Sequence, residues 1–161
     1  MAATTRLLLS ALLLGIFCQA AFAQDAPVEP NEIERRAFEQ TNLVRIKNGL
    51  PPFVWDADIG RMARNHSENM SRLHFFSHVT PDGKRLPDRA RAAGILRYSV
   101  LGENIAYNQG YADPGALAVE RWMESPKHRA NILSSEFRAM AIGSYVAPDG
   151  SVYLTQTFIK R

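Results

Sequence analysis

His78, Glu103 and His128 are the residues of this chain whose types and spacing suit chemistry: His78 precedes Glu103 by 25 residues and His128 follows it by 25. Two imidazoles and one carboxylate form a ligand set for a borderline cation such as zinc, with a coordination position left open. Each lies where a helical pattern breaks: in Phe76-Ser77-His78, in Gly102-Glu103-Asn104-Ile105-Ala106, and in the run Trp122 to Leu133, which reads WMESPKHRANIL. The same residues also fit a structural role, in which Glu103 accepts hydrogen bonds from both imidazoles or from backbone N–H groups and ties loops together. Asn104, next to Glu103, carries an amide suited to pinning a loop. His66 stands alone on an apolar helix face and reads as a core histidine. His74 is four residues before His78, a chelating spacing on a helix, but Pro81-Asp82-Gly83 marks a helix that is finishing, so His74 is left out of the set.

The elements that must position these groups follow from pattern. Asn31 caps a helix that runs to about Asn48, with Ile33, Ala37, Thr41 and Val44 on one face and Gly49 at its end. Pro51-Pro52 forces an extended link into Phe53-Val54-Trp55. Asp56 or Asp58 opens a second helix, on which Ile59, Met62, Ala63, His66, Met70 and Leu73 share a stripe. A third, short helix fits 86–93 before Gly94. A fourth begins at Asp113-Pro114 and ends near Pro126. Met140 to Val146 and Val152 to Phe158 read as strands joined by Pro148-Asp149-Gly150. Helices first and an antiparallel hairpin last give an α+β fold. The aromatic residues Trp55, Phe75, Phe76, Trp122, Phe137, Tyr153 and Phe158 are expected to fill its core.

Composition narrows the function classes. Arg6, the apolar run from Leu7 to Phe17 and Ala21-Phe22-Ala23 form an export signal over 1–23, with cleavage before Gln24. Residues 24–31 then form a flexible leader and 32–161 the folded domain. The apolar run is short for a membrane span, so transmembrane anchoring is not expected. The single cysteine, Cys18, falls inside the signal and follows the bulky Phe17, which argues against a lipid anchor. A net charge of +3 is too small to mark a nucleic-acid binder. The densest basic group, Arg85, Arg89, Arg91 and Arg97, is diluted by Asp82 and Asp88 and reads as a solvated helix face.

The ordered set Asn42-Leu43-Val44-Arg45, Trp55, Ala63-Arg64-Asn65-His66-Ser67, Phe76-Ser77-His78, Gly102 to Ala106, the run from Trp122 to Leu133, and Tyr153 to Phe158 resembles the CAP superfamily of secreted domains. The match is closest to its short, cysteine-free bacterial branch. That resemblance covers about residues 32–160 and implies a three-layer α-β-α sandwich around a central antiparallel sheet, with a cleft lined by His78, Glu103, His128, Asn104 and Ser125. Many family members carry a second glutamate where this chain has Ser125. Glu124 is one residue early, and one helical residue turns a side chain by about 100°, so a tetrad is reduced to His78, His128 and Glu103 as ligands for zinc or another divalent metal. The resemblance also implies an exported or periplasmic protein that binds a small apolar ligand or a cell-envelope component without catalysis. The alternatives are a metal-dependent hydrolase using His78, Glu103 and His128, and a scaffold for a protein partner. No G-x-S-x-G elbow, H-E-x-x-H helix or nucleophilic cysteine supports catalysis.

Overall fold

Asn31 is the first residue described by the structure, a computed structural model covering residues 31–161. The export signal expected at 1–23 and the leader up to residue 30 lie outside the described residues. Asn31 Oδ1 accepts from Glu34 N at 3.0 Å and Glu34 Oε2 accepts from Asn31 N at 3.0 Å, a reciprocal cap that starts α1, Glu32–Lys47. Gly49, at φ 71°, turns the chain beyond it. The extended link contributes a two-residue strand, β1, Val54–Trp55. Asp56 then caps α2, Ala57–Arg72, by accepting from Asp58 N and Ile59 N. Helix α3 covers Leu86–Ala92, and β2 covers Val100–Gln109. Asp113 caps α4, Pro114–Glu124, which is followed at once by α5, Pro126–Leu133. Strands β3, Ala139–Val146, and β4, Ser151–Lys160, form the expected hairpin. None of the described helices is long and apolar enough to cross a membrane.

Two elements exceed the sequence reading. Pro126 ends α4 and also opens α5, because Ser125 is extended (φ −90°, ψ 120°) and proline fits the first turn of the next helix. Strand β2 hides because polar Glu103, Asn104 and Asn108 take buried positions in it, so no apolar alternation marks it.

The sheet order is β1-β3-β4-β2, with β4 antiparallel to both β3 and β2. Strand β1 runs parallel to β3, so the sheet is mixed at that edge rather than wholly antiparallel. Alternation along β3 and β4 builds two cores. Met140, Ile142, Leu154 and Phe158 join Ala37, Val119, Trp122 and Ile132 from α1, α4 and α5. Ala141 and Ile159 face the other way, onto Ile59, Met62 and Ala90 from α2 and α3. A sheet with side chains of period two buried on both faces is the middle of three layers. Trp122, Phe137 and Phe158 enter the core as expected, but Phe76 does not: it is 53% exposed.

The layers are held close at defined points. Arg45 is buried and donates to the carbonyls of Pro51, Ile132 and Ser134 at 2.8, 2.7 and 2.8 Å, tying the end of α1 to the end of α5. On the other face, α2 meets β3 backbone to backbone at Gly143, where a Cβ would overlap Ala63 C and Arg64 N. Ser67 Oγ donates to the Gly143 carbonyl at 2.8 Å. Gly143→Ala is therefore expected to cost more than about 3 kcal/mol, since neither backbone can yield. Gly150→Ala, with open space around the Cβ at φ 82°, should cost only the strain of a left-handed residue, about 1–2 kcal/mol. Urea unfolding of the two variants measures the difference.

Candidate functional site

Glu103 projects from β2 toward the α2–α3 layer with its side chain 4% exposed. Its Oε2 accepts from Arg89 Nη2 at 2.8 Å, and its Oε1 accepts from the same nitrogen at 2.9 Å and from His78 Nδ1 at 2.9 Å. A carboxylate in that arrangement only accepts, so His78 Nδ1 is the donor in this bond, and in the neutral ring it is Nε2 that carries the lone pair. The His78 ring is half exposed, and its Nε2 has no protein partner among the described residues. Arg89 Nη2 also donates to the His78 carbonyl at 3.2 Å. One guanidinium thus fixes His78 at its backbone and, through Glu103, at its ring.

Arg89 is the residue that sequence reasoning placed wrongly. It is not part of a solvated face but 8% exposed, packed where α3 meets the sheet. The available signal was local: Arg89 follows Leu86 by three residues and directly precedes Ala90, which places it on the apolar stripe of α3. Its Nε and Nη1 have no partners among the described residues.

His128 approaches from α5 on the far side of β2. Asn104 is fully buried and donates from Nδ2 to the His128 carbonyl at 3.2 Å and to Gln156 Oε1 at 2.9 Å, while Asn131 Nδ2 donates to Asn104 Oδ1 at 2.8 Å. The amide of Asn104 pins α5 to the sheet. The imidazole of His128 makes no hydrogen bond to Glu103, so the expected clasp of both imidazoles on one carboxylate forms only at His78. Burial, then the nearby His78, pushes His128 below the ordinary histidine range. Ser125 and His128 line one cavity of about 400 Å³, whose walls include Ile105, Tyr107, Leu117 and Trp122. Glu124 points elsewhere, to an exposed pair with Arg121 at 3.0 Å.

The donors do not fit a metal as they stand. Both Glu103 oxygens already accept N–H bonds, and His78 Nδ1 is turned to that carboxylate. Among the described residues, no three or more His, Cys, Asp or Glu side chains are grouped so as to hold an ion. A zinc site with an open position needs three protein ligands; here two imidazoles remain.

His66 lies behind this site as a core residue, 1% exposed, and its Nε2 donates to the Ser77 carbonyl at 3.0 Å. Its Nδ1 has no partner among the described residues. Burial first, then the Arg89 charge, pushes it down to about 4. His74, at φ 52°, contributes instead to a shallow aromatic surface with Phe75, Phe76, Tyr107 and Tyr153.

The three-layer α+β fold is shared with solved bacterial proteins of the SCP (CAP) class. This chain belongs to the cysteine-rich secretory protein family, CAP, whose model matches residues 38–158. It is 38% identical over 128 residues to the uncharacterized membrane protein YlbC of Bacillus subtilis strain 168, covering 80% of this chain and 34% of YlbC. It is 36% identical over 136 residues to the uncharacterized protein YkwD of the same organism, covering 84% of this chain and 50% of YkwD. The chain therefore spans half or less of the length of these curated relatives. A crystal structure of an extracellular protein containing a SCP domain from Bacillus anthracis superposes with a TM-score of 0.69 at 30% identity, covering 80% of this chain and 40% of that one.

The site makes two predictions about stability. Glu103→Ala strands the buried Arg89 charge and should cost about 3–5 kcal/mol, whereas His78→Ala, at a half-exposed ring, should cost under about 1 kcal/mol; urea unfolding at neutral pH reads both. For His66 the folded state favours the neutral ring, so its contribution is complete above pH 6.5, falls as the unfolded chain takes up the proton, and is lost as pH drops through about 4. The loss amounts to roughly 3 kcal/mol. His66→Gln, which cannot titrate but keeps a donor for Ser77, should flatten stability against pH over that window relative to the native protein.

Proposed function

We propose that this CAP domain is an exported, non-catalytic binder of a small envelope-derived ligand with an apolar body and a polar end. The observation that carries this reading is the cavity of about 400 Å³ whose lining combines apolar Ile105, Leu117 and Trp122 with polar Asn108, Arg121, Ser125 and His128. Small-molecule sites characteristically combine mostly apolar walls with a few convergent polar groups. Catalysis has less support: among the described residues no hydroxyl hydrogen-bonds to His78 or His128, and Ser77 Oγ is occupied as an acceptor for Val79 N at 3.1 Å. A nucleophile without its base does not form an acyl-transfer site. Export agrees with the extracellular description of the Bacillus anthracis structure and with the signal expected at 1–23.

The test uses Trp122, whose indole Nε1 donates to the Ile105 carbonyl at 2.9 Å on the cavity wall, as an intrinsic fluorophore. Lysophosphatidylethanolamine and muramyl dipeptide serve as separate probes for a lipid and a cell-wall fragment. Saturable change in Trp122 emission with either probe, abolished by the cavity-filling Leu117→Trp variant when binding is followed by calorimetry, supports the proposal. Absence of saturable binding with both probes overturns it.

A further inference from the structure

We infer that Arg89 takes the place a divalent cation would hold against Glu103, so that His78, Glu103 and Arg89 form a metal-free unit. Three observations converge on this. One guanidinium nitrogen, Nη2, bridges both oxygens of Glu103 at 2.9 and 2.8 Å, the position a metal chelated by that carboxylate would take. Arg89 is buried, and among the described residues its Nε and Nη1 have no partners while Nη2 serves Glu103 and the His78 carbonyl, so Glu103 supplies the charge that offsets it. The Glu103 that it holds in turn orients His78 through Nδ1, the same service a carboxylate performs for a metal-bound histidine. Arginine is a permanent cation with a fixed, planar fork of donors. Unlike a metal ion it neither exchanges with solvent nor offers an open coordination position.

The chemical consequence lies at His78 Nε2. With Nδ1 committed to Glu103, Nε2 of the neutral ring is a hydrogen-bond acceptor of fixed direction on a half-exposed side chain. It suits a hydroxyl or amide N–H donor. His78 is not among the residues that line the cavity of the binding reading, so the role of Arg89 stands independently of that reading. Arg89 acts through Glu103 and is a positioning residue.

The test is zinc titration of the whole protein by calorimetry, with histidine ¹⁵N spectra of the same samples. The native protein should show no zinc binding that His78→Ala removes, and its His78 should be a single tautomer protonated at Nδ1. Arg89→Gln should release Glu103, gain zinc affinity by at least about tenfold, and show His78 in mixed tautomers. The added affinity should disappear in Arg89→Gln/His78→Ala, and Arg89→Lys should keep the native tautomer and the native indifference to zinc. Micromolar zinc binding by the native protein that His78→Ala abolishes overturns the inference, as does an unchanged His78 tautomer in folded Arg89→Gln. Should Arg89→Gln fail to fold, the native protein compared with His78→Ala still decides, since that variant alters a half-exposed side chain only.

Discussion

Helix α2 rests on β3 with no side chain between their backbones at Gly143, and much of the α2–α3 layer depends on that approach. Ala63 and Arg64 fill the space a β-carbon would need, and Ser67 completes the junction with bonds to the Gly143 carbonyl and the Thr155 hydroxyl. From this close seat α2 places His66 under the Ser77 carbonyl, which fixes the segment leading to His78. It also carries Arg64 to Glu34, at 2.8 Å from Nε, and Glu34 Oε1 accepts from Ser144 N at 3.0 Å. The two outer layers are thereby joined around the edge of the sheet by a buried carboxylate that belongs at once to a helix cap and to a strand end.

Glu34 and Glu103 solve one physical problem in the same way. Each is a carboxylate almost fully removed from water, and each is matched by an arginine from the opposite element and by further N–H donors. Such pairs are weak evidence for net stability, because desolvation offsets much of the attraction. Their effect is to specify geometry: a carboxylate with its lone pairs directed admits few arrangements of its donors. At Glu103 that directedness reaches an exposed imidazole; at Glu34 it stays within the frame.

The parts of the fold that local chemistry dictates could be read from the chain. Asn31, Asp56 and Asp113 cap helices through bonds to residues two or three positions on, and Pro148-Asp149-Gly150 turns one hairpin, so neighbours alone determine them. The α+β class and the membership of the CAP family were legible for the same reason, since ordered short motifs carry both. Strand β2 was not, because its polar residues are buried by partners distant in sequence: Gln156 and Asn131 for Asn104, Arg89 for Glu103. The site was legible in its members His78 and Glu103 but not in its organisation. An arginine in a seven-residue helix that also carries Arg91 and Asp88 looks solvated until the sheet that covers it is known. Helix α5 is hidden in the sequence because Pro126 marks the end of α4, while its extended neighbour Ser125 makes it a beginning as well.

Strand β4 is the last described element in the chain and lies inside the sheet, between β3 and β2. Before it is in place, β2 has no strand to pair with, and β1 and β3 can form only a two-residue parallel contact. The Ser67 hydroxyl then lacks Thr155, and the Asn104 amide lacks Gln156. A chain released from its N-terminal end first can form helices but not layers, and contacts that distant in sequence form slowly. Such an order of assembly leaves both cores open on the sheet side until Ser151–Lys160 is in place.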